Sequence, residues 1–137
     1  MKKLPYLFIA VLLLGIASCG EDDEPAASGG EIVGTWKSTH LKNENCTDSN
    51  ENFDLPDTSG MFELSLTADG TFSITLSQGG NAVTTTGTYT VTGDQIESCT
   101  DGTPQECDST TFTVDGDTLT IITQDDDCLN TITYARQ

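Results

Sequence analysis

From residue 61 to residue 136 apolar and polar side chains alternate, and pairs of Asp and Gly punctuate the alternation. Phe62, Leu64 and Leu66 stand against Glu63, Ser65 and Thr67; after Asp69-Gly70, Phe72, Ile74 and Leu76 take up one face. Tyr89 and Val91 continue that face within residues 83–92, and Gly93-Asp94 leads to a short strand at residues 95–98. Phe112 and Val114, the turn Asp115-Gly116, Leu119 and Ile121, and finally Ile132 and Tyr134 complete the series. A side chain that changes face at every residue belongs to a strand buried on one side, and Asp-Gly and Gly-Asp pairs mark tight hairpins between such strands. Gly accepts positive φ, so Asp69-Gly70 is expected to form a type I′ turn. Gly87 within its strand suggests a bulge or bend where the sheet curls. No window sustains a helical period.

With a first strand over residues 32–41 the chain has eight strands in order. Short connections keep sequence neighbours adjacent in space. A sheet with one apolar face must bury it. Eight antiparallel strands do so by curling into a small up-and-down barrel, which also removes exposed edges; a two-sheet sandwich is the alternative. In a closed meander the last strand pairs antiparallel with the first, so Cys46, after strand one, lies beside Cys128, just before strand eight. This predicts the disulfides Cys46–Cys128 and Cys99–Cys107, the latter pinning the loop around Asp101-Gly102-Thr103-Pro104.

The remaining cysteine, Cys19, belongs to the N-terminus. Met1-Lys2-Lys3 is a positive region and Leu4 to Ile16 an apolar one, shorter than the about 20 residues needed to span a bilayer. Ile16-Ala17-Ser18-Cys19 resembles the bacterial lipobox, which implies cleavage before Cys19 and lipidation of its thiol; an ordinary signal peptide with a chance cysteine is the alternative. Residues 1–18 are then a lipoprotein signal peptide, residues 19–30 the lipidated Cys and an acidic flexible tether, and residues 31–137 the folded domain. The acidic run Glu21-Asp22-Asp23-Glu24 resembles the surface-export signal of Bacteroidetes lipoproteins, favouring the cell surface over the periplasmic face of the outer membrane. Without residues 1–18 the chain keeps three basic residues, Lys37, Lys42 and Arg136, against all 22 acidic ones, a formal charge of −19. A surface so acidic repels nucleic acid.

Ile32-Val33-Gly34-Thr35-Trp36, then Leu66-Thr67-Ala68-Asp69-Gly70-Thr71-Phe72, then Gly87-Thr88-Tyr89 and Asp117-Thr118-Leu119-Thr120-Ile121 occur in an order that resembles the lipocalin-like domains of Bacteroidetes lipoproteins. The resemblance covers residues 31–137. It implies that Gly34, Trp36 and Arg136 form a structural plug at one barrel end, with the guanidinium over the indole. It also implies a barrel mouth that takes a small apolar ligand, lined by inward residues such as Leu64, Phe72, Ile74, Tyr89, Phe112 and Ile121.

Chemistry beyond binding finds little support. No catalytic triad, phosphate loop or metal triad is present, and no cofactor or metal is expected. The single histidine, His40, faces the lumen if simple alternation runs on from Trp36, although a plain strand residue is the more ordinary reading. Asp115-Gly116-Asp117 resembles the start of a calcium loop but lacks its later ligands. Asp125-Asp126-Asp127 with Asp101 or Glu106 is a candidate weak calcium site set against a plain solvated loop. The leading expectation is a non-catalytic envelope lipoprotein anchored to the membrane through Cys19 and binding a small hydrophobic ligand. The second is an adaptor whose barrel is solid, filled by Phe62, Phe72 and Phe112, and whose acidic face binds an unidentified protein.

Overall fold

The computed structural model describes residues 29–137. The expected signal peptide, Cys19 and nearly all of the expected tether lie outside the described residues. The alternation resolves into nine strands: β1 (Gly34–Glu44), β2 (Phe53–Leu55), β3 (Phe62–Leu66), β4 (Thr71–Gln78), β5 (Asn81–Thr92), β6 (Gln95–Thr100), β7 (Cys107–Asp115), β8 (Thr118–Gln124) and β9 (Leu129–Arg136). From β3 to β9 every strand pairs antiparallel with the next, β1 pairs with β3, and β9 returns to β1. The result is a closed eight-stranded up-and-down barrel, the architecture that alternation requires.

The ninth strand, β2, is a short ribbon that sequence reading did not resolve. It pairs with β1 at Leu41↔Leu55 and Asn43↔Phe53, while β3 pairs with β1 further back at Trp36↔Leu64. Both lie on the edge of β1 opposite β9, so the two share that edge end to end. A single 3₁₀ turn, Ser49–Glu51, capped by Asp48, connects β1 to β2.

The curl is not produced where the sequence suggested. At Gly87 the ladders to β4 and β6 run unbroken through Phe72↔Gly87 and Gly87↔Thr100. Gly87 is there for room: a Cβ would collide with the Cys99 carbonyl oxygen and come 2.6 Å from the Phe72 ring. The bulge sits instead in β1, where the register to β9 slips between Ser38 and His40. One extra residue inverts the alternation beyond it. Leu41 and Asn43, paired with Ile132 and Asn130, therefore continue the inner face that Trp36 and Ser38 begin. At Asp69-Gly70 only Gly70 has positive φ, +82°, so the turn is not the type I′ form, which needs positive φ at both central residues. Thr67 braces it, its hydroxyl bonding with Asp69 and Thr71.

The core gathers at one end of the barrel. Ile32, Trp36, Leu66, Phe112, Leu119 and Tyr134 are all buried there. Burying a large apolar side chain contributes about 1.5–3 kcal/mol, so this end, together with two disulfides, carries much of the stability of a small domain.

Candidate functional site

Alternate hairpins of an up-and-down barrel lie at alternate ends, and the two ends here differ. One holds the start of β1, the β3–β4, β5–β6 and β7–β8 turns and the end of β9. It is closed by Trp36, fully buried, whose indole N–H donates to the Ile32 carbonyl at 2.8 Å. The Arg136 guanidinium lies 4.1 Å over the indole ring. It also donates to the carbonyls of Val33 at 2.9 Å and Glu31 at 2.7 Å, and pairs with Asp117. Gly34, at φ +145°, leaves the guanidinium its place: a Cβ there would stand 2.8 Å from Arg136 Nη1. Cation–π contact of this kind is worth about 0.5–2 kcal/mol. The three residues form a fixed stopper.

The other end holds the β1–β2 connection and the β4–β5, β6–β7 and β8–β9 loops. Both disulfides lie here. Cys46–Cys128 follows the last β1–β9 pair, Glu44↔Leu129, and Cys99–Cys107 joins residues directly opposite each other on β6 and β7. The buried Asn43 donates to Cys46 Sγ at 3.1 Å and to the Glu51 carbonyl at 2.9 Å. Thr47 N–H donates to the Asp127 carbonyl at 2.9 Å, tying the β1–β2 connection to the β8–β9 loop.

Between stopper and mouth is a cavity of about 290 Å³. Leu64, Phe72, Ile74, Tyr89 and Ile121 all line it, as do Leu66, Ile96, Ile132 and Tyr134. Phe112 does not line it. That side chain lies deeper, 2 % exposed, and packs into the core that floors the space. Inward alternation alone does not report depth along the barrel axis, so Phe112 and Ile121 look alike in sequence.

The wall also contains residues that sequence reading passed over: Thr85, Ser98, Thr100, Thr110 and Thr123. On each of β5 to β8 the hydroxyl lies mouthward of an apolar partner. Thr85 lies above Tyr89, Ser98 and Thr100 above Ile96, Thr110 above Phe112, and Thr123 above Ile121. β3 and β4 differ, remaining apolar up to Phe62 and Leu76 at the rim. Leu76 and Val83 face each other across the β4–β5 ladder, and Val83 is 65 % exposed. Tyr89 presents its ring to the cavity while its hydroxyl donates to the Thr67 carbonyl at 2.7 Å. Burial pushes the Tyr134 phenol up to about 12.

His40 does not join the site. The β1 bulge turns it outward, where its Nε2 lies 2.7 Å from Asp54 Oδ1. Among the described residues, the one trio of candidate metal ligands close together is Cys46, Glu51 and Cys128. Its two sulfurs are bonded to each other, so neither is a thiolate able to bind a metal. Asp125 accepts from the Asn130 amide and Asp127 from the Thr47 hydroxyl, and neither converges with Asp101 or Glu106.

No curated protein sequence matches the chain. Among solved structures it is similar to a lipocalin-like protein from Bacteroides uniformis, with a TM-score of 0.58 at 11 % identity over 79 % of this chain and all of that one. A weaker likeness, with a TM-score of 0.44 at 16 % identity over 79 % of this chain and 97 % of the other, is to the REP1-NXSQ fatty acid transporter. The family model for the lipocalin-like domain matches residues 32–121. That match spans more than half of the sequence and runs from the start of the barrel into β8, so the chain belongs to the lipocalin-like domain family.

Proposed function

We propose that this protein is a non-catalytic envelope lipoprotein that binds a small apolar molecule in the lumen of its barrel. The cavity carries this reading. At about 290 Å³ it falls just below the about 300–1,000 Å³ typical of ligand sites, a size for a small molecule, and its floor is hydrocarbon and aromatic. A solid core would instead support the adaptor reading. Phe112 does fill the stoppered half, but Phe62 and Phe72 leave the mouthward half open. The lining offers hydrocarbon, phenol and hydroxyl groups and no base beside a nucleophile, which supports binding without chemistry. The lipobox-like segment ending at Cys19 supports a membrane anchor, and the acidic run after it supports an outer-membrane location, at the cell surface rather than the periplasmic face.

Native mass spectrometry of the purified, oxidised full-length chain tests the lumen reading, together with titration of an uncharged fluorescent apolar dye. The dye is expected to bind, and Ser98→Phe, which places a ring across the cavity, is expected to abolish binding without changing the circular dichroism spectrum. Dye binding unaffected by Ser98→Phe, or no binding at all, would overturn it in favour of the adaptor.

A further inference from the structure

The distribution of charge around the cavity narrows what kind of apolar molecule it takes. A ligand lying in this lumen places its apolar part on Leu66, Ile96 and Tyr134 and its other end among Thr85, Ser98, Thr100, Thr110 and Thr123. These hydroxyls form a collar on the β5–β8 flank, able to donate to or accept from a polar group. Above the collar the loops are acidic: Glu51, Asp101, Glu106, Asp108 and Asp125 to Asp127 all belong to the mouth end and are exposed. No basic group among the described residues is free to meet a ligand anion there. Arg136 is in the stopper at the opposite end. Lys42 lies 2.5 Å from Glu44, which holds its ammonium above the usual lysine range, and Lys37 pairs with Glu63 on the outer wall.

We propose that the barrel selects apolar molecules whose polar end is a neutral hydroxyl or an ammonium and discriminates against those ending in a carboxylate or phosphate. An anionic end reaching the collar would lose bulk water, meet no cation and sit below a rim of like charge, which is unfavourable at short range. A hydroxyl or ammonium donates to the threonine oxygens, and an ammonium is further attracted by the rim. This proposal rests on the lumen being the ligand site.

The test is competition for the bound dye by decanol, decylamine and decanoate, each below its aggregation concentration, at neutral pH and low salt, on the oxidised full-length chain. The three share one chain length and differ only at the polar end. Decanol and decylamine are expected to displace the dye, with decanoate at least about tenfold weaker and the gap closing as added salt shortens the screening length to about 10 Å or less. Glu106→Lys/Asp126→Lys, which changes two exposed loop residues, is expected to tighten decanoate and weaken decylamine while leaving decanol unchanged. Equal displacement by all three, or no response to the charge reversal, would overturn the head-group selectivity and leave the lumen reading standing. Dye binding with displacement by none of them also overturns the selectivity. Failure of the dye itself to bind overturns the lumen reading, and the selectivity with it.

Discussion

Replacing Cys46 and Cys128 together by alanine should destabilise the domain far more than the same change at Cys99 and Cys107. The two bridges cross-link the unfolded chain over very different spans, 82 residues against 8. In the chain-entropy account, whose mechanism is disputed, closing these loops is worth about 4.5 and about 2.5 kcal/mol respectively. The structure adds to the first figure. Asn43 loses two sulfur partners, at 3.1 and 3.4 Å, although it keeps the Glu51 carbonyl; one lost hydrogen bond costs about 1 kcal/mol. The second bridge joins residues already opposed in the β6–β7 ladder, so little folded-state contact goes with it. The expected gap is therefore about 2–3 kcal/mol. Urea unfolding of the oxidised protein and the two paired variants, followed by circular dichroism and compared at a common slope, measures it. Losses equal within about 0.5 kcal/mol, inside the error of such extrapolations, or a larger loss at Cys99–Cys107, would refute the reasoning.

Trp36→Ala should cost about 3–5 kcal/mol, as large core truncations do, because the ring is fully buried and also seats Arg136; a loss below about 1 kcal/mol in the same urea assay would remove Trp36 from its role as stopper. The raised Tyr134 phenol gives a pH dependence whose sign is fixed. Its folded value of about 12 exceeds the ordinary 10.0, so the folded state holds that proton more tightly. The associated stabilisation is complete below pH 10 and is lost as pH rises towards 12, on the order of 2–3 kcal/mol in all. Alkaline unfolding curves should show this loss, and Tyr134→Phe should remove that component; an unchanged curve in the variant would refute it.

The barrel was legible because the period-two pattern leaves one continuous apolar face, and the reach from the end of β1 to the start of β9 follows from closure alone. What escaped did so for local reasons. Phe53-Asp54-Leu55 is too short to show a period, so β2 went unrecognised. The β1 bulge carries no Gly or Pro to mark it, yet it reverses the face of everything after Thr39, so unbroken alternation from Trp36 turns His40 inward where the structure leaves it a plain outward strand residue. Gly87 looks like a bend in sequence because a close approach of the Cys99 carbonyl and a break in the ladder require the same residue. The hydroxyl collar was invisible for a different reason. Thr and Ser favour strands whichever way they point, and next to Phe or Ile they read as the wet side. In β5 to β8 the inner face itself changes from apolar to hydroxylated along the axis, a gradient that alternation cannot report.

The polypeptide comes into the barrel at its stoppered end: Ile32 is buried beneath Trp36, and Gly29 already lies beside Val91. An anchor upstream of Gly29, as proposed, would pull on the base of the cup, with the opening at the far end of the barrel. If that attachment is a lipid on Cys19, cargo would be met from the aqueous side instead of being drawn up out of the bilayer beneath.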